Sequence, residues 1–543
     1  MCFFRLICLL AVLLIFSPTV VLSANHYVCD CASEADNECT AGNDGNSGLD
    51  INSPKQSYEQ ARTTFSNISA GDAVLFCQGG AWDINSGNSR WVNGSCDASN
   101  KCIIGSYLPN WASGNEARPI LRRLDGANGM DFVDGGDANH EEGYVVSGLH
   151  LIGTAGSASF GMFFYNDIDA VDVNDVRIES FQVGFHLAGS NPCDVNDLLC
   201  DGSNDDINLS NSEVVNNREQ GWLGGSVNSS VTNTEFLNNG NRASFDHNIY
   251  VSGFTSDMVV SNNTLKYSAL DVNGVCQGTS LVVHGTHHNL LIEGNFIEED
   301  LGMAGFGCWG IAVDGGSSAI EVFTDLTIRN NIIKNLGNLA IGVGSCQNCL
   351  IENNVVIQDQ AMETRGIMSP DRVTAPEDAI STDVIVRNNT IYFGLNSTGT
   401  GITIKDEGIN HQIVSNVIYY AGNQNNFNCL NTNLTFNTFT EIDDNLCYFT
   451  NAVNAEWADG FGDLSAWQNN SGFDGNSLTI DPEFNDINGF DFTAASALSP
   501  MVDTGHLTLS SPLAINAPRD QSPDMGAFEY VSNDLIFAHG FEL

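Results

Sequence analysis

The sequence has few basic residues. Its 19 lysines and arginines stand against 66 aspartates and glutamates, which gives a formal net charge of −47. Nucleic acid is therefore a disfavoured partner, because phosphate contacts need Lys and Arg. A bare polyanion would also be repelled at long range. An anionic substrate would thus require bound cations, a locally positive site or a salty medium.

Long apolar runs are also scarce. The one candidate lies in residues 1–24, where Arg5 supplies a charge, residues 6–16 an apolar core and residues 21–24 a small-residue cleavage site. This order is typical of a secretory signal peptide, and the apolar run is too short to span a bilayer. We therefore expect a soluble, monomeric chain without membrane insertion after signal removal, either secreted or held at the cell surface.

Cysteine is present in an even number. The sequence has 16, and loss of Cys2 and Cys8 with the signal would leave 16 − 2 = 14. An even count in an exported chain favours disulfides. Cys346 and Cys349 have a metal or redox spacing, but without a second such pair a structural bridge or free thiols is the better interpretation. Local spacing suggests three further bridges: Cys96–Cys102, Cys193–Cys200 and Cys429–Cys447.

Helical periodicity is scarce as well, and short apolar runs alternate with Gly, Asn, Asp and Ser clusters. One form, apolar-x-x-Asn-x-apolar, recurs roughly every 21–36 residues, a period that indicates a solenoid, here of about eleven coils. Degenerate copies begin at Val146, Val173, Leu209 and Val231. The clear copies have their asparagine at Asn263, Asn295, Asn331, Asn354, Asn389, Asn416 and Asn437.

The fixed asparagine has a physical reason. Sharp turns between strands often need a left-handed residue, which Asn tolerates better than most residues. Stacked coils would also place identical amides about 4.8 Å apart, where they can bond to one another as a ladder. The apolar flanks would point inward and stack on their counterparts, which suits β-branched side chains.

The repeat resembles the right-handed parallel β-helix proteins of the pectate-lyase-like superfamily, especially exported bacterial ones, over residues 101–450. Segments 481–484, 499–505 and 524–530 are similar to the closing segment of many such proteins. The predicted fold class is all-β, a right-handed single-stranded parallel β-helix with an N-terminal cap. The predicted division is a signal peptide at 1–24, a cap region at 25–100, the β-helix at 101–450, a closing segment at 451–530 and a tail at 531–543.

A second strand family supplies the candidate site. Its apolar-x-apolar cores include residues 249–251, 281–283 and 311–313. If these cores stack in register, the residues that follow them, Ser252, His284 and Asp314, are neighbours spaced about 4.8 Å per coil. Tyr250 lies on the same outer face, and His247 begins its strand. His247, Tyr250, His284 and Asp314 are therefore the candidate catalytic residues, with Asp314 orienting the imidazole.

The resemblance implies carbohydrate chemistry. Lyases and epimerases of the superfamily use Tyr and His, or Lys and Arg with calcium, and Asp246-His-Asn-Ile-Tyr250 is similar to a strand of lyase-type members. Such enzymes need a base for the C5 proton of a uronate, stabilisation of the carboxylate-enolate, and an acid for the leaving oxygen. His and Tyr can supply the base and the acid. The leading function is a secreted lyase or epimerase with an extracellular polysaccharide as its partner.

Two alternatives stay open. A glycoside hydrolase on the same fold would need paired carboxylates, for which Asp271 and Asp314 are candidates. A non-catalytic adhesin or structural module fits the weak polar stripe and the scarcity of basic residues. No cofactor is certain; the acidic loops 134–142 and 194–206 could hold calcium, although solvated loops are the favoured interpretation. His287 and His288 are predicted to be turn residues.

Overall fold

The structure is a computed structural model that describes residues 23–133, 142–188, 204–241, 245–313, 320–372, 374–422, 427–450 and 455–531. The predicted tail beyond residue 531, the Cys193–Cys200 pair, Asp314, and most of the signal peptide and of both acidic loops lie outside the described residues. Within them, no helix is long and apolar enough to cross a membrane.

The chain winds into a parallel β-helix, as the sequence predicts. A sheet of 27 strands folds over two faces of the solenoid, and a sheet of 13 strands forms the third face. The pairing between coils is parallel throughout these two sheets, which fits the right-handed connection that parallel strands adopt. The fold class predicted from sequence, a right-handed single-stranded parallel β-helix, is therefore confirmed.

One face of the 27-stranded sheet carries the candidate site, and we call it the front face. Its strands are Met130–Val133, Phe160–Tyr165, Val183–Ala188, Trp222–Leu223, Ile249–Ser256, Leu281–His288, Ile311–Val313, Leu339–Val343, Glu363–Ser369, Thr398–Ile404, Phe427–Asn431 and Glu456–Ala458.

The second face is continuous with the front face, because the strand Leu281–His288 pairs with Ile311–Val313 through its first half and with Val322–Thr324 through its second. The strands of the second face are Asn25–Val28, Ala73–Cys77, Cys102–Tyr107, Tyr144–Ser147, Asp169–Asn174, Asp205–Ser210, Ser230–Thr232, Val259–Ser261, Leu291–Glu293, Val322–Thr324, Thr327–Arg329, Cys346–Glu352, Thr382–Arg387, His411–Val414 and Phe439–Asp443.

The third face has one short strand from each coil. These strands are Ala81–Ile84, Ile120–Arg123, His150–Ile152, Arg177–Glu179, Glu213–Val215, Glu235–Leu237, Thr264–Lys266, Phe296–Glu298, Ile332–Lys334, Val355–Gln358, Thr390–Phe393, Val417–Tyr420 and Leu446–Phe449. The described residues thus form thirteen coils rather than the eleven predicted, because the first two precede the first recognisable copy of the repeat.

The asparagine ladder joins the second and third faces. Asn331 is fully buried, and its Oδ1 accepts hydrogen bonds from both the backbone N–H and Nδ2 of Asn295, at 2.9 and 3.0 Å. Its own Nδ2 donates to the backbone oxygen of Ile292 and to Asn354 Oδ1, at 3.0 Å each. The predicted amide-to-amide bonding is confirmed, and both polar atoms of the Asn331 side chain are satisfied by neighbouring coils.

Two details of the ladder correct the sequence prediction. The left-handed residue is not the ladder asparagine but the one before it, as in Asn330 with φ of 58°. The side-chain amide of the ladder asparagine must point into the core, so the residue before it adopts the left-handed conformation that the turn requires. The last rung is Asn445, which bonds to Asn416 at 3.1 Å, whereas Asn437 lies exposed in the 3₁₀-helix Phe436–Thr438.

The two ends of the solenoid are closed by different elements. The helix Tyr58–Phe65, with Ser57 as its N-cap, packs Ala61 and Phe65 against the first coils. The helix Leu464–Ser471 places the fully buried Trp467 over the last coil. The antiparallel hairpin Phe484–Asp486 and Asp491–Ala494 covers the third face near Tyr392 and Tyr419. Exposed ends of the core are avoided in this way.

Six disulfides lie within the described part of the chain. Two of the predicted bridges, Cys96–Cys102 and Cys429–Cys447, are confirmed, and Cys346–Cys349 is a structural bridge rather than a pair of thiols. Disulfides at this density are typical of an extracellular protein. The remaining three are Cys29–Cys77, Cys31–Cys39 and Cys276–Cys308.

Candidate active site

The register of the front face brings two of the predicted residues onto adjacent coils. Tyr250 and Ser252 point outward from the strand Ile249–Ser256, and His284 is the partner of Ser252 on the next strand, Leu281–His288. Their neighbours Ile249, Val251 and Leu281 are fully buried and hold both strands against the core. The alternation of outward and inward side chains therefore fixes where Tyr250 and His284 point.

His247 precedes the strand and is held by a backbone carbonyl. Its Nδ1 lies 2.8 Å from the oxygen of Thr279, which can only accept, so Nδ1 carries the proton and Nε2 the lone pair. Burial lowers the pKa of His247 to about 4, partly offset by this hydrogen bond, and the charge of Arg372 contributes in the same direction as burial. His247 is therefore a neutral imidazole near pH 7, with an unprotonated Nε2.

His284 is held by a carboxylate. Its Nδ1 lies 3.0 Å from Glu321 Oε1, and the other oxygen of Glu321 accepts the backbone N–H of Gly285 at 2.5 Å. Glu321 is fully buried, while the side chain of His284 is 15 % exposed. This pair fixes the ring orientation and leaves Nε2 as the second polar atom of the imidazole.

Tyr250 lies between the two imidazoles. Its ring centroid is 5.4 Å from that of His247 and 5.6 Å from that of His284, and both contacts are edge-on, at 77° and 76°. A phenol flanked by two oriented imidazoles on an outer face is a set of acid–base groups within reach of one bound molecule. The structure thus brings together His247, Tyr250 and His284.

A loop that follows the strand Glu363–Ser369 adds charge to the cluster. The guanidinium of Arg372 lies 5.0 Å from the ring centroid of Trp309, which is a cation–π contact. The preceding residue, Asp371, approaches Gly342 so closely that a Cβ on Gly342 would lie 2.5 Å from Asp371 Oδ2. Gly342 therefore makes room for the loop that carries Arg372 over the front face.

Three functional candidates were missed from sequence: Glu321, Arg372 and Trp309. Glu321 immediately precedes Val322, which pairs with Thr286, so the register of that short strand would have placed it beside His284. Asp314, the predicted orienting residue, lies outside the described residues. Its neighbour Val313 pairs with Val283, directly before His284.

The prediction for His287 was wrong, because His287 belongs to the core and not to a turn. It lies within the strand Leu281–His288, is 1 % exposed, and its ring stacks on Phe323 at 5.4 Å and 4°. Its Nε2 donates to the backbone oxygen of His284 at 3.0 Å, and Nδ1 accepts from Thr255 Oγ1 at 2.7 Å. Two good partners explain why an imidazole is tolerated there. His288 is also a strand residue, the last of that strand.

Calcium does not fit the described part of this site. Calcium takes six or more oxygen ligands, and Glu321 already binds His284 and Gly285. Among the described residues, the groups of three metal-ligand side chains are built on disulfide sulfurs: Cys29, Cys39 and Cys77, and Cys276, Glu299 and Cys308. We therefore derive no step through calcium.

The front face continues beyond the cluster. A depression of about 190 Å³ lies further towards the C-terminus, with Arg365, Thr400 and Asn428 in its lining. These three residues pair across successive coils and point outward. Arg365 lies three coils beyond His284, so the depression is separate from the acid–base cluster, and the candidate site is defined by its acid–base residues.

Comparison with known proteins gives distant structural matches only. No family profile matches the sequence, and no curated protein matches it. A PL6 family polysaccharide lyase from Pseudopedobacter saltans is 11 % identical, with a TM-score of 0.41 over 88 % of this chain and 99 % of that one. PfbA, a surface adhesin of Streptococcus pneumoniae, is 12 % identical, with a TM-score of 0.44 over 74 % and 89 %.

A third similar structure is the A-module of mannuronan C-5 epimerase AlgE6 from Azotobacter vinelandii. It is 10 % identical, with a TM-score of 0.37 over 77 % of this chain and 93 % of that one. The similar structures thus include a lyase, an epimerase and an adhesin, so structural similarity does not indicate which of these activities, if any, this chain has.

Proposed function

We propose that this protein is a secreted polysaccharide lyase or epimerase that acts on a uronate-containing chain at the front face. The observation that carries the proposal is the contact of Tyr250 with two oriented imidazoles, at 5.4 and 5.6 Å. Six disulfides in the described chain support an extracellular setting.

The protonation states suit removal of a carbon-bound proton. His247 is neutral because burial lowers its pKa to about 4, so its Nε2 can accept the C5 proton of a uronate over a wide pH range. Tyr250 then donates its phenolic proton to the leaving oxygen in a lyase, or to the opposite face of the carbanion in an epimerase. His284, oriented by Glu321, holds the phenol and restores its proton.

A local positive charge can offset the net negative charge of the chain at this place. The net charge of −47 opposes a polyuronate at long range, but Arg372 lies over the front face beside Trp309. A guanidinium can bind a carboxylate through two hydrogen bonds and stabilises the enolate that forms when C5 loses its proton. In this proposal Asp314 keeps the role predicted from the sequence, a carboxylate that helps to orient the imidazole of His284.

Activity assays on purified protein test the proposal. Alginate and pectate are incubated with the wild type, absorbance of unsaturated sugars reports a lyase, and NMR of the polymer reports epimerised residues. Tyr250→Phe should lose about 100-fold or more of the rate, since it removes only the phenolic proton. Tyr267→Phe is the matched control, because its hydroxyl binds Asp300 at 2.8 Å beside the third face.

The alternatives give different results in the same assays. Release of reducing ends without unsaturation would identify a glycoside hydrolase. Binding without any turnover, unchanged in His247→Ala, would identify an adhesin or structural module. If no uronate polymer yields unsaturated or epimerised products, the lyase and epimerase proposal is refuted.

A further inference from the structure

Four aromatic rings form a continuous patch on the front face, on the N-terminal side of the acid–base cluster. The Phe163 ring centroid lies 5.5 Å from that of Tyr165 with 27° between the planes, and 5.3 Å from the ring of His186. Phe160 closes the patch, 4.6 Å from His186 and 5.0 Å from Phe163. We call Phe160, Phe163, Tyr165 and His186 the aromatic platform.

The core does not need these rings. The residues that alternate with them, Met162, Phe164 and Phe185, are fully buried and stack inside the solenoid. Tyr165 by contrast is 40 % exposed, and Phe160, Phe163 and His186 are partly exposed. Four neighbouring aromatic side chains at the surface are uncommon unless they bind something, because each loses apolar burial there.

Strand register connects the platform to the acid–base cluster. Phe163 pairs with His186, His186 with Leu223, and Leu223 with Tyr250, so all four side chains belong to one outward column. Two coils separate His186 from Tyr250, about 10 Å at the spacing of parallel strands. Leu223, which lies between them, is apolar and partly exposed, so the described residues of that column place no charge between the platform and the cluster.

We propose that the aromatic platform binds a sugar ring of the same polysaccharide chain whose cleaved or epimerised unit lies at Tyr250. This inference rests on the proposed function. The apolar C–H face of a pyranose stacks on flat aromatic rings, and continuity of the outward column with the acid–base cluster selects a polymer over a separate ligand. The polysaccharide then runs along the solenoid axis, with the platform about two coils from the reacting bond.

The chemistry of the platform suits a uronate. None of its rings carries a negative charge, and burial lowers the pKa of His186, which favours the uncharged ring near pH 7. Stacking therefore adds affinity without the repulsion that carboxylates would produce along a chain of net charge −47. Binding at the platform is predicted to depend on polymer length, because a short oligomer cannot reach both places.

Calorimetric titration of oligomers tests the platform. The parent is Tyr250→Phe, which binds without turnover, and the ligands are alginate and pectate oligomers from a disaccharide to a decasaccharide. The variant Phe163→Ala/Tyr165→Ala is made in that parent. We expect it to lose about tenfold or more of its affinity for the long oligomers, and to keep its affinity for the shortest. Tyr267→Ala, which removes a ring beside the third face, should change the affinity for neither the long nor the short oligomers.

The outcomes separate the platform from the proposed function. Equal affinities of the platform variant and its parent for every length would overturn the platform, while wild-type turnover would still uphold the function. A loss of affinity that is the same for all lengths, with an unchanged melting temperature, would also overturn it. Failure of the parent to bind any oligomer would refute both.

Discussion

Glu321 Oε1 lies 3.0 Å from Nδ1 of His284, although 37 residues separate the two along the chain. The contact exists because Glu321 leads into the strand Val322–Thr324, whose register places it opposite Gly285. Glu321 is itself fixed, since its backbone N–H donates to Asp378 at 3.0 Å. The ring of His284 is therefore oriented by an anchored partner rather than by a mobile side chain.

Replacement of that partner should reduce turnover. Glu321→Gln keeps the size of the side chain but offers one oxygen in place of two, so either His284 or Gly285 loses its acceptor. We expect kcat to fall by about 10- to 100-fold with little change in KM, because the ring is misoriented while substrate contacts remain. Steady-state kinetics on the polymer that the wild type turns over measure this.

Asp378→Asn is the control for Glu321→Gln. It perturbs the same loop through the Glu321 backbone without removing the contact to His284. A kcat loss as large in Asp378→Asn as in Glu321→Gln would assign the effect to loop disorder and contradict the orienting role.

A methyl group at Gly342 should weaken the site from a distance. A Cβ there would lie 2.5 Å from Asp371 Oδ2, so Gly342→Ala must displace the loop that carries Arg372. We expect KM to rise several-fold, because the displaced guanidinium no longer faces the substrate carboxylate. The melting temperature should change only slightly. Gly475→Ala is the control, because no atom lies within 4 Å of its added Cβ. Equal kinetics in the two variants would exclude Arg372 from substrate binding.

The repetitive part of this fold was readable from sequence because stacked coils repeat one set of contacts. The pairing of Ser252 with His284 follows from counting between copies of the repeat, and the structure has that pairing. The strand Trp222–Leu223 could not be predicted from the apolar-x-apolar pattern, because it has only two residues. The repeat predicts a rung at Asn437, but Asn445 fits the same motif, and only its stacking on Asn416 shows that it is the last rung.

The site was less predictable, because half of it comes from irregular loops. His247, Tyr250 and His284 lie on or beside repeated strands, so their shared face could be predicted. Arg372 and Glu321 depend on loop paths that differ from coil to coil, and no period encodes those paths. The proposed catalytic groups are thus visible in the sequence, while the groups that orient and charge them require the structure.

Removal of one ladder amide should destabilise the solenoid. Asn331→Ala leaves the backbone N–H and Nδ2 of Asn295 without their common acceptor inside the core. We expect a loss of about 2 kcal/mol or more in unfolding free energy, because buried unsatisfied donors are costly. Chemical denaturation followed by circular dichroism measures it. Asn437→Ala, an exposed site with a single bond to Thr435, should stay within about 0.5 kcal/mol. Equal losses of unfolding free energy in the two variants would mean that the ladder hydrogen bonds do not contribute to stability.

The buried histidines should make the protein less stable in acid. Burial lowers the pKa of His247 and of His287 to about 4 in the folded chain, against an ordinary value of 6.5. As the pH falls below 6.5, the unfolded chain binds protons that the folded chain does not bind until about pH 4. Their contribution to stability is therefore full above pH 6.5 and falls between pH 6.5 and 4, by up to about 1.4 kcal/mol per pH unit for each histidine.

The variant His287→Gln isolates one of these two contributions. Glutamine loses the ring stacking on Phe323, so we expect a lower melting temperature than wild type at pH 8, and a gap that narrows as the pH falls from 6.5 towards 4. The narrowing follows because the variant no longer carries a group whose protonation favours the unfolded chain. Differential scanning calorimetry across this pH range measures both curves. Curves that stay parallel from pH 8 to pH 4 would show that His287 binds its proton equally well in the folded and unfolded chains, contrary to its burial.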